Sequence, residues 1–127
     1  MPPAEDDLDH RRPVWDALSS LFLDTDTSLS REWRVKLLSS SPYSVEHLEH
    51  ILVNEVYPIC RWNLLSIAGE WAGFDMVWLE KKILRRLRSP LRFLHRANLG
   101  RVTVLISGEW VATKRCVGVA RGLREVA

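Results

Sequence analysis

The sequence has little of the chemistry that staples small proteins together, with only two cysteines, Cys60 and Cys116, among 127 residues. Two cysteines are too few for a disulfide framework, which favours a reducing compartment, and we expect the cytoplasm. No charge-free stretch approaches the roughly 20 apolar residues needed to span a bilayer. The acidic first residues also lack the basic-then-apolar pattern of a signal peptide. These shortages exclude a disulfide-rich secreted domain and predict no membrane association.

Motifs that carry catalysis are also missing. The sequence contains neither G-x-G-x-x-G nor G-x-x-x-x-G-K, the glycine loops that cradle phosphate, and no G-x-S-x-G nucleophile elbow. Cys60 lies in an apolar segment, where a thiol is typically buried and unreactive. We therefore predict that the protein is not an enzyme and takes no cofactor.

One cluster has residue types suited to metal binding: Glu46, His47, Glu49 and His50 within a single helical turn. Glu46 and His50 are four residues apart and could reach one cation, but the spacing matches no zinc-protease or di-iron pattern. The cluster also lies opposite the apolar stripe of its segment. A solvated helix face is therefore the favoured interpretation and we predict no metal, with a metal-dependent enzyme at His47 and His50 as an alternative.

Apolar residues recur at helical spacing through most of the chain, which is 46% hydrophobic and 27% charged. This pattern predicts an all-α fold, a compact bundle of five or six short helices. Six segments carry it: 9–23, 28–39, 44–58, 58–67, 75–88 and 89–100. Ser44 and Asp75 are expected to cap their helices, Pro58 to end or kink one helix and start the next, and Gly100 to end the last.

The chain divides into three regions by composition. Residues 1–8 read as a disordered acidic tail, 9–100 as the helical domain, and 101–127 as a segment of uncertain structure that packs on the same domain. In this last segment a valine-rich run precedes Ser107 and Gly108, which is typical of a small β-hairpin. One irregular helix after Gly108 is the alternative, weakened by about 1 kcal/mol at each internal glycine.

Charge is split between the two halves of the chain. Residues 1–64 hold six Lys or Arg against eleven Asp or Glu, a net charge of −5. Residues 65–127 hold twelve basic residues against five acidic ones, a net charge of +7. Such polarity steers charged partners to one side of a protein or draws its own halves together.

The basic half contains a run without any acid between residues 81 and 101. Its members are Lys81, Lys82, Arg85, Arg86, Arg88, Arg92, Arg96 and Arg101. The run suits the carboxylates of a protein partner or the phosphates of a nucleic acid. A solvated helix face balanced by the acidic half is the third interpretation. Arg85, Arg88 and Arg92 are the candidate contact residues.

Tryptophan is abundant, with six copies in the chain. They are Trp15, Trp33, Trp62, Trp71, Trp78 and Trp110. Most are predicted to be core residues, and Trp33 shares a stripe with Leu29 and Leu37. Trp71 follows Glu70 in a turn bracketed by glycines, where it either anchors a partner or covers the core.

The segment 55–74, EVYPICRWNLLSIAGEWAGF, together with RPVWDAL at 12–18, resembles an uncharacterised family of small bacterial helical proteins, a domain of unknown function. The resemblance covers residues 12–94. It implies a bacterial, cytosolic single domain with a core around 61–74, and it supplies no catalytic residues. Small proteins of this kind are often immunity proteins for secreted toxins, which is an analogy of class.

We therefore expect a bacterial cytoplasmic protein-binding protein, specifically an immunity protein that neutralises a toxin by masking its surface. Toxin surfaces that grip nucleic acid are basic, so an acidic face would block them. That face would comprise Asp16, Asp24, Asp26, Glu46 and Glu49. A small nucleic-acid-binding or regulatory module that uses the basic run at 81–101 is the alternative.

Overall fold

The computed structural model describes residues 1–22, 27–60, 75–89 and 99–126. Its helices are α1 (Leu8–Ser19), α2 (Arg31–Ser39), α3 (Val45–Ile51), α4 (Met76–Arg88) and α5 (Leu99–Val126). Short 3-10 turns flank α1 and α2, at Ala4–Asp6, Ser20–Phe22 and Thr27–Ser30. No strand occurs in these ranges, and the predicted all-α class is confirmed for them.

Two of the predicted helix starts are confirmed at atomic detail. The Ser44 hydroxyl accepts a hydrogen bond from the backbone N–H of His47 at 3.1 Å and so caps α3. The Asp75 carboxylate accepts from the N–H groups of Val77 and Trp78, at 2.9 and 3.2 Å, and caps α4. Side-chain oxygens thereby satisfy donors that have no partner within the first turn of a helix.

Pro58 does not end its helix. After α3 the chain continues through a π-turn, Leu52–Val56, and then through helical residues 57–60. Proline has no N–H to donate to the carbonyl four residues earlier, that of Asn54. Arg86 of α4 donates to this Asn54 oxygen at 3.0 Å instead. The predicted break is thus absorbed by a wider turn and a guanidinium from a neighbouring helix.

The predicted hairpin near the carboxyl end is wrong. Gly100, Gly108, Gly118 and Gly122 all lie inside α5, so the predicted helix end at Gly100 is wrong as well. Glycine lowers helix propensity by about 1 kcal/mol per residue, but α5 packs along α2 and this packing outweighs the loss. Within residues 108–122 of α5, three side chains are buried: Trp110, Thr113 and Val117.

The core lies between the five helices. Trp15, Leu18, Ile51, Leu79 and Ile83 are fully buried. The ring of Phe22 meets the ring of Tyr57 edge to face, with 6.1 Å between the ring centroids. Large side chains in such contacts supply most of the apolar stabilisation of a small bundle. The predicted burial of Cys60 is confirmed, and burial raises the pKa of its thiol.

Helix α2 presents a different face to the core than its sequence suggests. In the predicted stripe, Leu29 and Trp33 are 83% and 43% exposed, and Leu37 is half-buried against the core. Arg34 and Leu38 are buried in its place, both at 0% exposure. The chain therefore buries an arginine and leaves a tryptophan half in water, which is the reverse of the usual preference.

Candidate functional site

A buried polar cluster around Arg11 joins the amino terminus, α1 and the π-turn. The guanidinium donates to both carboxylate oxygens of Glu55 at 3.1 Å, to the Tyr43 hydroxyl and the Asp7 carboxylate at 3.2 Å, and to the Pro2 carbonyl at 3.2 Å. The Trp15 indole N–H also donates to Glu55, at 2.9 Å. Burial lowers the pKa of Arg11, but Glu55 more than reverses this, so the group stays charged.

The polar groups of the Arg11 cluster are hydrogen-bonded to one another, which is typical of a structural cluster. Every nitrogen of the guanidinium already has an acceptor, and Glu55 accepts three hydrogen bonds. A cleft of about 390 Å³ adjoins it, lined in part by His50, Leu84 and Arg88. The first residues, predicted as a disordered tail, form the wall of that cleft, and Ala4 is buried. The cluster therefore fixes the position of the amino terminus.

A second buried cluster ties α2 to α5. Arg34 donates to Ser20 at 2.8 Å, to Ser30 at 2.9 Å, and to Glu109 and Thr113 at 3.2 Å. Arg31 makes a closer pair with the same Glu109 carboxylate, at 2.6 Å. The hydrogen bonds from Arg31, with the two positive charges, lower the pKa of Glu109 despite its partial burial.

Two further sets of hydrogen bonds hold α5 against α2 and α3. Arg121 donates to the carbonyl oxygens at the end of α2 and just beyond it, which belong to Leu38, Ser39, Ser41 and Tyr43. A cation at the carboxyl end of a helix satisfies these carbonyls and the helix dipole together. Glu49 of α3 accepts from Trp110 at 2.9 Å and from Lys114 at 3.2 Å.

The outer side of α4 is strongly basic. Lys81, Lys82, Arg85 and Arg88 are exposed, behind the buried pair Leu79 and Ile83. Arg88 lies 3.6 Å from the exposed Glu5 carboxylate, and the other three have no ion pair with the residues described. We call these four cations the basic face. A face of this kind attracts phosphates or carboxylates in a salt-dependent way.

A second surface is apolar and lies around a cleft between α1, α2 and α4. The cleft has a volume of about 640 Å³. Its lining is Arg12, Pro13, Trp15, Asp16, Trp33, Leu37, Met76, Val77 and Glu80. Val77 is 71% exposed, and its neighbours in sequence or in the cleft, Trp78 and Trp33, are 41% and 43% exposed. We call this cleft with its exposed rim the α1–α2–α4 cleft.

The predicted contact residues fall into four groups. Arg85 and Arg88 lie on the basic face, and Glu46 is exposed on α3. Glu49 is exposed too, but Trp110 and Lys114 already occupy its carboxylate. Asp16 lines the α1–α2–α4 cleft and is not joined there by Glu46 or Glu49. Glu70, Trp71, Arg92, Asp24 and Asp26 lie outside the described residues, as does the expected core at 61–74.

His47 and His50 are both exposed on α3. Asn54 is hydrogen-bonded to the His50 ring at 3.2 Å. Nowhere in the described parts of the chain do three histidine, cysteine or carboxylate side chains come together as metal ligands would. Across the same ranges, the helices are too short or too polar to cross a bilayer.

The sequence carries a signal for the buried clusters, although the sequence-based predictions do not include them. Glu55 falls on the apolar stripe of its helix, four residues after the buried Ile51. Glu109 lies four residues before the buried Thr113. A charged residue at a stripe position indicates a buried partner, because an unpaired charge is rarely buried. The sequence does not reveal that the partners are Arg11 and Arg34, which are 44 and 75 residues away.

The described helices thus define a small all-α protein held together by buried arginine–carboxylate clusters. Residues 9–116 match the family described as a domain of unknown function, DUF7079, and the chain belongs to this family. The match extends into α5. It is therefore longer than the segment 12–94, which by its sequence alone resembles an uncharacterised family. Neither a curated protein nor a solved structure matches the chain.

Proposed function

We propose that the protein binds another protein through the α1–α2–α4 cleft and acts as a bacterial cytoplasmic immunity protein that masks a toxin's surface. One observation carries the proposal. Trp33 of α2 and Val77 of α4 line the same cleft and are both largely exposed, although the protein buries Arg11 and Arg34. Exposed aromatic and aliphatic side chains around a cleft are typical of protein-binding sites.

The buried clusters support a binding role over a catalytic one. In the Arg11 cluster each guanidinium nitrogen is hydrogen-bonded within the protein, so no reactive group there is held ready for a substrate. These clusters anchor α1 and α2, two of the three helices that form the cleft, and a preformed cleft reduces the entropy lost on binding. A preformed surface suits a protein that blocks its partner.

The basic face favours a second candidate function, binding of nucleic acid. Lys81, Lys82 and Arg85 are exposed on one helix without acidic partners in the described residues. Each phosphate that such a cation neutralises releases a counterion, so the affinity would fall steeply with salt.

Affinity capture from the native host, with and without nuclease, tests both candidates. For the cleft, we expect a nuclease-resistant protein that is captured by the unchanged chain and lost with Val77→Ser. Val119→Ser is the matched control, because Val119 is also an exposed helical valine, at 59% exposure, but lies outside the cleft. Co-expression should suppress the toxicity of the captured protein.

Other results would overturn the proposal. Capture that Val77→Ser leaves intact would remove the cleft from the function. Capture of a protein whose toxicity is not suppressed would remove the immunity role. Recovery that disappears with nuclease or at moderate salt, and with Lys81→Glu and Arg85→Glu, would transfer the function to the basic face and nucleic acid.

A further inference from the structure

The α1–α2–α4 cleft holds one charge that nothing in the described chain neutralises. Three ionisable side chains line it: Arg12, Asp16 and Glu80. Arg12 donates to Glu80 at 2.9 Å and lies 3.8 Å from Asp9, so its positive charge is already paired with carboxylates. The Asp16 carboxylate has no hydrogen bond or ion pair to any described residue. The lining therefore carries a net charge of one negative unit at Asp16.

The environment of Asp16 makes its unpaired negative charge energetically unfavourable. It is half-buried, and burial raises the pKa of its carboxyl because no partner favours the ionised form. A cation that enters the cleft would restore the interaction that water no longer supplies. Charge complementarity thus selects a positively charged ligand group for the cleft.

The walls of the cleft narrow the choice of cation. Trp33 exposes nearly half of its surface there and makes no hydrogen bond or cation contact with the described residues. Leu37, Met76 and Val77 supply aliphatic surface around it. A guanidinium stacks on an indole face and pairs with a carboxylate through two parallel hydrogen bonds, and its aliphatic stem packs on apolar walls. Lysine offers only a compact point charge.

We propose that this cleft is a receptor for an arginine side chain, flanked by apolar residues, on the partner protein. In the complex Asp16 pairs with the guanidinium, and Trp33 lies against its planar face. The cleft volume of about 640 Å³ is within the range of ligand pockets and accommodates an arginine with its neighbours. This inference rests on the proposed function, because it names the chemistry of the partner at the same cleft.

A short peptide, acetyl-ALRLA-amide, provides a direct test on the full-length protein. We expect it to shift the NMR signal of the Trp33 indole N–H in a saturable way. The matched peptide with citrulline in place of arginine has the same shape without the charge, and it should bind roughly tenfold more weakly. Free arginine amide should bind more weakly than the peptide, because it lacks the apolar flanks.

Three variants complete the test. Asp16→Asn should reduce the affinity for the arginine peptide to the level of the citrulline peptide. It should leave the fold intact, because the Asp16 carboxylate holds no other described residue. Trp33→Leu keeps the wall apolar but removes the ring, and should also weaken binding of the arginine peptide. Glu32→Gln, a change of an exposed carboxylate on α2 outside the cleft lining, should have no effect.

Equal binding of the two peptides, or full affinity in Asp16→Asn, would overturn the assignment. Free arginine amide that binds as tightly as the peptide would show a site for a small molecule rather than a protein. A host protein lost with Val77→Ser but retained with Asp16→Asn would refute the arginine site and leave the proposed function standing. Peptide binding without any captured host protein would support the arginine site and contradict the proposed function.

Discussion

Individual residues show how this chain distributes its charges. Arg11 and Arg34 are buried, each against a carboxylate from a distant part of the sequence. Buried ion pairs contribute little net stability, since desolvation cancels most of their attraction. They penalise every alternative packing in which one partner is buried alone. In this protein such pairs therefore select one arrangement of helices.

Removal of one partner from the Arg11 cluster should be strongly destabilising. Glu55→Leu leaves two of the three nitrogens of the buried Arg11 guanidinium and the indole N–H of Trp15 without an acceptor, and should cost about 3–5 kcal/mol. The free energy of unfolding in urea measures this loss. Glu46→Leu, at an exposed position of α3, should change stability by less than about 0.5 kcal/mol. Equal losses in the two variants would contradict a special role for the cluster.

At the scale of the helix, the sequence predicts the structure correctly where contacts between neighbouring residues determine it. The Ser44 and Asp75 caps and the extent of α4 follow from short-range patterns, and the structure has them. Helix α5 is different, because its valines and glycines favour other structures locally. Its partners on α2 lie between 75 and 83 residues earlier, and a pattern read within one window cannot include them.

The glycines of α5 leave room for improvement of that helix. At Gly118 an added methyl group would meet no atom within 4 Å, and the position is exposed. Gly118→Ala should therefore stabilise the protein by about 0.5–1 kcal/mol, through helix propensity alone. Thermal unfolding followed by circular dichroism measures this gain. Loss of stability would mean that the backbone at this position is not helical in solution.

At the scale of the whole molecule, the candidate surfaces were only half visible in the sequence. The exposure of Arg85 and Arg88 followed from helical spacing opposite Leu79 and Ile83. The α1–α2–α4 cleft did not, because it brings Asp16, Trp33 and Val77 together from three helices. Such a juxtaposition depends on how helices pack, and packing is set by side chains from the whole chain.

Stability of the molecule should fall in acid. Hydrogen bonds from Tyr43, Trp110 and Arg31 lower the pKa values of Asp7, Glu49 and Glu109 respectively. Groups with a lowered folded pKa stabilise the protein above their ordinary values, 3.8 for Asp and 4.5 for Glu, and lose that effect as the pH falls further. Asp16 acts in the opposite sense, because its folded pKa is raised.

We therefore expect the melting temperature to decrease as the pH is lowered from 4.5 through the folded pKa values of these carboxyls. Glu109→Gln should flatten this decrease, because it removes the titrating group between Arg31 and Arg34. A melting temperature that is independent of pH from neutrality to strong acid would contradict the ion-pair account.

The pair between Arg34 and Glu109 also has a consequence in time. The ribosome adds Glu109 75 residues after Arg34, which at roughly 5–20 residues per second is an interval of about 4–15 s. Throughout that interval α2 lacks the carboxylate that permits burial of its arginine. The Arg34 cluster is therefore completed only after the first half of α5 has been synthesised.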